Sequence, residues 1–329
     1  MQSVVKEPTS LRAFIQSLPK TETHLHLEGA LPLELLQRVR PEFTKPPASW
    51  APNYKFDDFA HFERELLDMA FSWFTSPEHY HEAAKLIFAK HVAQNVQYVE
   101  TSFASGVIEF GGLNGREVLS AIRSAVPAGL EVRVFIGIHH NGFGPAMKPV
   151  LEDMLGWSDL AGIDLHGPEY LPLEPWSRDY WAAARKVGKY TKAHAGEFMG
   201  ADFVRLVLDE LQPQRLEHGV RAIENPDVVA EIRRRGIALD MCPISNHKLM
   251  PGITLANHPI RKFFDAGVRV TVNTDDPISF GNTLNDDYVA LGENGFSPKE
   301  LARLARNGFE VALLTDAQKK PWLDQLASM

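Results

Sequence analysis

The sequence predicts an α/β fold, a (β/α)8 TIM barrel with a helical insertion after strand one and closing helices at the C-terminal end. Three observations carry this prediction. Eight short runs are rich in β-branched and apolar residues, amphipathic helical stretches separate most of them, and the chain has 329 residues of which 44% are hydrophobic. Strand-like runs alternating with helical patterns mark parallel strands joined by crossover helices, and eight is a number at which such a sheet closes. The whole chain, 1–329, is the size of one barrel domain.

Residues 1–20 contain Glu7, Pro8 and Arg12 and no unbroken apolar stretch, so neither a signal peptide nor a membrane span is expected there. The first run, 22–27, is separated from the second, 96–103, by about 70 residues, far more than one crossover needs. This segment, about 40–95, reads as an insertion. It begins with a Pro-rich loop (41–52), and Phe59, Phe62, Glu63, Leu66, Leu67, Ala70 and Phe71 then recur at helical period. Ser76 and Pro77 next read as the N-cap and first-turn proline of a second helix running through Asn95. Leaving a strand's C-terminal end, where barrel active sites lie, the insertion is either a lid or pocket wall or ordinary outer packing. Phe71, Trp73 and Phe74 read either as an aromatic wall for a substrate or, the commoner use of such a cluster, as a helix face packed on the barrel. The remaining runs lie at 131–139, 161–167, 191–197, 215–220, 237–243 and 269–275. Residues 297–329 read as closing helices with a frayed tail.

A formal charge of -8 without any Lys/Arg block argues against a nucleic-acid groove or an anionic membrane surface and favours a small-molecule substrate. With Cys242 the one cysteine, neither an intrachain disulfide nor a thiolate metal cluster can form, which suits a cytoplasmic protein. Any metal must be held by His and carboxylate. Nothing in the sequence fixes an oligomeric state.

Thr23-His24-Leu25-His26 is the first chemical signal. With 13 histidines in the chain, chance gives about 0.5 His-x-His pairs, so the pattern alone is weak. His79-Tyr80-His81 is a second such pair, but it falls in the first turns of a helix, where i and i+2 do not share a face, and it reads as surface or packing. His24 and His26 sit in a strand-like run, where i and i+2 point the same way. Similar groups end three later runs: His194, His218 and Asp275. In a parallel barrel all of these strand ends meet at one mouth. Imidazoles plus a carboxylate form a ligand set suited to one Zn²⁺ with an open position for water, and iron or manganese would also fit. Glu197 follows His194 by three residues, and Gly196 permits a turn that swings the carboxyl back over the mouth; buried there, it can stay protonated and act as an acid.

The segments His24-Leu25-His26-Leu27-Glu28-Gly29-Ala30, Asp164-Leu165-His166-Gly167-Pro168-Glu169, His194-Ala195-Gly196-Glu197, Glu217-His218-Gly219, Cys242-Pro243-Ile244-Ser245-Asn246 and Asn273-Thr274-Asp275-Asp276-Pro277 together resemble the adenosine and adenine deaminase family of the amidohydrolase superfamily. The resemblance implies that His24, His26, His194 and Asp275 ligate one zinc and that Glu197 donates a proton to ring N1 during hydrolytic attack at C6. It further implies that His218 orients and helps deprotonate the attacking water, that Asp276 hydrogen-bonds N7 and that the Gly167 N–H meets N3. The expected reaction is hydrolytic loss of the 6-amino group from an adenine-type nucleoside, adenosine or a 5′-modified adenosine; adenine or an N6-substituted purine is the alternative.

Departures refine this. The residue two after the second metal histidine is usually Asp, facing ribose, in animal-type members; here it is Glu28, expected at the substrate. The Asp164–Gly167 segment resembles the nucleoside enzymes more than the Ser-Glu-containing segment of bacterial adenine deaminases. Residues 161–167 offer no lysine to bridge two metals, which favours one ion. A cytidine-type zinc site needs Pro-Cys-x-x-Cys, which one cysteine excludes. A purine-binding barrel without turnover would fit loss of Glu197 or a ligand, and none is lost. His139-His140 reads as core or rim, His166 as a neighbour of the substrate-facing Gly167, and Ser245 and Asn246 as braces of the strand-seven loop.

Overall fold

A computed structural model of the protein describes residues 10–329. Its centre is one parallel sheet of eight strands in sequence order: β1 (Lys20–Glu22), β2 (Val96–Ala104), β3 (Glu131–His139), β4 (Gly162–His166), β5 (Tyr190–Ala195), β6 (Arg215–His218), β7 (Ala238–Met241) and β8 (Val270–Val272). Helices flank the sheet, giving the (β/α)8 barrel. All eight expected runs contain a strand, but the first differs most: the β1 ladder stops at Glu22 instead of running to residue 27. The cause is side-chain competition. Thr23 gives both its N–H (2.7 Å) and its hydroxyl (2.9 Å) to Asn273 Oδ1, so a side chain replaces the backbone partner. The chain resumes as isolated bridges, Leu25 to Asp275 and His26 to Ser102. There His26 N donates to Asp275 O (3.1 Å) and Asp275 N to His24 O (3.2 Å), closing the seam between the first and last strands at the C-terminal mouth.

A continuous apolar cluster joins the strands to the surrounding helices, whereas the barrel interior carries buried charge. Lys192 on β5 pairs with Glu217 on β6 (2.5 Å) and with Glu100 on β2 (3.3 Å). Since β2 and β5 are not neighbours, the latter pair spans the interior. Arg215 on β6 pairs with Glu100 and with Asp240 on β7 (3.4 Å for the latter). Buried charges persist only when paired in this way.

The insertion divides in two. Its first long helix, Phe59–Trp73, is capped by Asp58, which accepts from His61 N at 2.7 Å. Phe62 of this wall helix stacks on Phe280 (centroids 5.4 Å apart) and joins Phe56 and Leu249 in a small separate core over the mouth. The second, Pro77–Ala93, starts at the expected Ser76 cap and packs against β2 and the helix Gly115–Ser124 as an outer layer. Pocket wall is therefore the role of the first helix and outer packing that of the second. Trp73 and Phe74 are buried as expected, but Phe71 departs from them and is 38% exposed.

The C-terminal helices Pro298–Val311 and Asp316–Ala327 both open with a capping box, Ser297/Glu300 and Thr315/Gln318. The tail is not frayed: the last helix reaches Ala327 because Leu326 is buried in the core. The expectation of no leader in residues 1–20 falls partly on residues 1–9, which lie outside the described residues. Among the described residues no helix is long and apolar enough to cross a membrane.

Candidate active site

The C-terminal strand ends bring the predicted residues together. His24 and His26 follow β1, His194 lies in β5, His218 ends β6 and Asp275 follows β8. Each imidazole is turned by a contact at its Nδ1. His24 Nδ1 lies 3.0 Å from Asp240 O and 2.8 Å from Glu217 Oε2, His194 Nδ1 is 2.9 Å from Leu165 O, His26 Nδ1 is 3.3 Å from Ser102 Oγ, and His218 Nδ1 is 3.1 Å from Asn246 Nδ2. Fixing one ring nitrogen presents the other inward. His26 Nε2 stands 3.2 Å from His194 Nε2 and 3.2 Å from Asp275 Oδ1, and His24 Nε2 stands 3.3 Å from the same oxygen. Ser245 donates to Asp275 Oδ2 at 2.6 Å.

One donor atom from each of His24, His194, His218 and Asp275 lies within 4.8 Å of the others. His218 stands in this group where the expected ligand His26 does not; His26 groups instead with His166 and His194, and with Asp275 and Asp276. Both His218 (φ 60°) and Asp275 (φ 69°) hold left-handed backbone, a cost non-glycine residues bear mainly where function demands it. His24 Nε2 is buried without a hydrogen-bond partner. An orphaned imidazole nitrogen beside a carboxylate fits a divalent ion, and the His26–His194 separation matches the edge of about 3.3 Å expected for tetrahedral Zn–N bonds of about 2.0–2.1 Å.

Glu197 reaches this centre through the turn after β5. Gly196 has φ +83°, and a Cβ there would meet Val204 at 2.6 Å, so only glycine allows the turn. Glu169 holds the turn by accepting the N–H groups of Glu197 (2.9 Å), Phe198 (3.0 Å) and Met199 (2.6 Å). Glu197 Oε2 is then 3.5 Å from His218 Nε2, and Oε1 accepts from Asn246 at 3.3 Å. Burial, followed by the negative charges of Asp275 and Glu169, pushes the Glu197 carboxyl well above the usual range, which favours its protonated form. Burial and Asp275 push Asp276 up in the same way. Burial opposes ionisation of Asp275 too, but the adjoining imidazoles, His24 foremost, hold it well below the usual range. Neighbouring carboxyls are thereby split into one base and two acids.

Glu28 Oε1 accepts from Tyr80 OH (2.6 Å) and Ala104 N (3.2 Å). Gly29 lets this loop approach Asp276, whose Oδ1 would lie 1.6 Å from a Cβ at that position. A cavity open to solvent is lined by His26, Glu28, Gly167, His194, Glu197, His218, Asp275 and Asp276, together with the wall helix; His24 stands behind this lining.

Other expectations resolve around this centre. His79 bonds Thr75 and His81 bonds Ser124, away from the site. His139 and His166 line the cavity, with His166 held 3.0 Å from Asp164, while His140 stacks behind on Phe203. Ser245 and Asn246 brace Asp275, Glu197 and His218 rather than only their own loop. Glu169 and Tyr80 had no assigned role. Glu169 stands two residues after Gly167 in a quoted motif, which was the one signal available for it; Tyr80 had none.

The fold and this mouth define a hydrolase of the barrel class, with an imidazole and carboxylate centre beside a proton-retaining glutamate. Known proteins make the class specific. The profile of the family "Adenosine deaminase" matches residues 19–329. The chain belongs to the adenosine deaminase family of the amidohydrolase superfamily and is a hydrolytic deaminase acting on a C–N bond. The adenine deaminase of Rhodopseudomonas palustris is 31% identical, covering 97% of this chain and 96% of its own length. The aminodeoxyfutalosine deaminase of Streptomyces coelicolor is 30% identical, covering 97% and 86%. The crystal structure of adenine deaminase from Arthrobacter aurescens aligns with a TM-score of 0.84 at 25% identity, covering 95% of this chain and 99% of that one.

Proposed function

We propose that the protein removes the 6-amino group of an adenine-type nucleoside, adenosine or a 5′-modified adenosine, by hydrolysis to the 6-oxopurine and ammonia, with one zinc ion held by His24, His26, His194 and Asp275. The observation that carries this reading is a buried Glu197, 3.5 Å from His218 beside that donor set, its carboxyl pushed upward by burial and by Asp275. When bound, zinc supplies an acidified water as nucleophile at neutral pH.

The chain's own residues do the rest. Glu197 donates its proton to ring N1, so the ring accepts the electron pair displaced when C6 becomes tetrahedral. His218, whose burial holds it well below the usual imidazole range and so neutral, takes the proton of the attacking water and returns it to the departing amine. The C6–N bond breaks as the C6 hydroxyl gives its remaining proton back to Glu197, C6 becomes a carbonyl and ammonia leaves. Asp276, whose carboxyl burial and the charge of Asp275 push upward, hydrogen-bonds N7, the Gly167 N–H meets N3, and Glu28, whose Oε1 is already engaged, offers its second oxygen to the sugar.

Ammonia release from purified enzyme with adenine, adenosine and an N6-substituted adenosine tests this. Preference for adenosine supports the reading. The relative from R. palustris named as an adenine deaminase favours a second reading, free adenine as substrate; the Asp164–Gly167 segment, resembling the nucleoside enzymes, argues for the first.

A further inference from the structure

The outer end of the cavity has a composition that the deamination chemistry does not use. Six carboxyl side chains line the cavity, Glu28, Glu63, Glu169, Glu197, Asp275 and Asp276, and among the described residues no lysine or arginine does. Glu169 is satisfied by three backbone N–H groups, and Glu197, Asp275 and Asp276 belong to the reacting end. Glu63 is different. It stands on the wall helix, half-buried, and only burial moves its carboxyl, upward, with no cation or hydrogen-bond donor to offset it. On the same helical stripe, four and eight residues on, Leu67 and Phe71 also line the cavity and are 40% and 38% exposed. Apolar side chains held at a pocket rim with open faces mark contact surface for a ligand.

We propose that this outer end is a subsite for an uncharged, apolar extension of the substrate, carried at the 5′ position, and that Glu63 is the specificity-determining residue that rejects a 5′ phosphate or carboxylate. The inference rests on the nucleoside reading of the site. An anionic group here would meet an unpaired carboxylate and no cation in a region of reduced solvent screening, whereas an apolar group would cover Leu67 and Phe71 and leave Glu63 at the solvent edge. The subsite therefore defines the substrate class as neutral 5′-modified adenosines rather than nucleotides.

The test compares kcat/KM of the zinc-loaded enzyme for adenine, adenosine, 5′-deoxy-5′-(methylthio)adenosine and adenosine 5′-monophosphate. Affinities of the Glu197→Gln variant for the same four compounds, by calorimetry, give a readout without turnover. The methylthio compound is expected about tenfold above adenosine and the monophosphate about 100-fold below it. Glu63→Lys should raise the monophosphate-to-adenosine ratio at least ~10-fold, Glu63→Gln should raise it less, and Phe71→Ala should shrink the methylthio advantage. A monophosphate as good as adenosine, a methylthio group without advantage, or a ratio unmoved in both Glu63 variants would overturn the subsite while leaving nucleoside deamination standing. Turnover of adenine with every nucleoside inert would instead remove the nucleoside reading and the subsite with it.

Discussion

The upward shift of the Glu197 carboxyl comes from burial, then from the charges of Asp275 and Glu169, and Glu169 also holds the turn that buries it. Glu197→Gln keeps shape and burial but removes the acid, so kcat should fall by about 10²–10⁴-fold, with metal content unchanged by elemental analysis. Ser245→Ala acts one step out: Asp275 Oδ2 loses its hydroxyl donor, and metal affinity should drop about 10–100-fold in chelator competition. The ligand candidates were legible because strand-like runs end on them and a parallel barrel gathers such ends. Glu169 and Tyr80 were not. Glu169 works through backbone N–H groups 28 to 30 residues away, and Tyr80 reaches Glu28 from an outer helix whose placement no periodicity reveals.

At the level of elements, the wall helix depends on few contacts, so truncating one should be felt locally. Phe62→Ala should cost about 3–5 kcal/mol within that cluster and raise KM more than it lowers kcat, a split that steady-state kinetics reads. The cap at Ser76 was legible because its signal is local; the early end of β1 was not, because Asn273, which captures Thr23, lies 250 residues on. Lys20 opens β1 with its amine buried against the carbonyls of Ile15 (2.7 Å) and Leu18 (2.8 Å) at the end of the helix Leu11–Ser17. Burial lowers it to about 7. Between that value and the ordinary lysine range the unfolded chain binds the extra proton, so this group's contribution rises with pH across the window, by at most ~1.4 kcal/mol per unit. Thermal melts of wild type and Lys20→Met at pH 7 and pH 9.5 should show the difference moving in favour of wild type at the higher pH.

At the scale of the whole molecule, His24, His26 and Asp275 both stitch the barrel seam and face the candidate metal centre. Chelation should therefore lower the melting temperature, and re-adding zinc at about 100 times its dissociation constant should restore ~2.7 kcal/mol. Amide exchange should quicken first around residues 24–26 and 275 on metal removal, and uniform exchange across the barrel would contradict this. The barrel itself was legible from run count and spacing, yet its charged interior was not, since Lys192, Glu100, Arg215, Glu217 and Asp240 find partners on other strands that no local spacing reveals. That interior carries a consequence for assembly. Its members come from β2, β5, β6 and β7, and Glu100 of β2 finds both its cations, Lys192 and Arg215, across the ring. A chain stopping at β4 would therefore leave that carboxylate without a counter-charge, so the first half of the ring depends on the second to neutralise it.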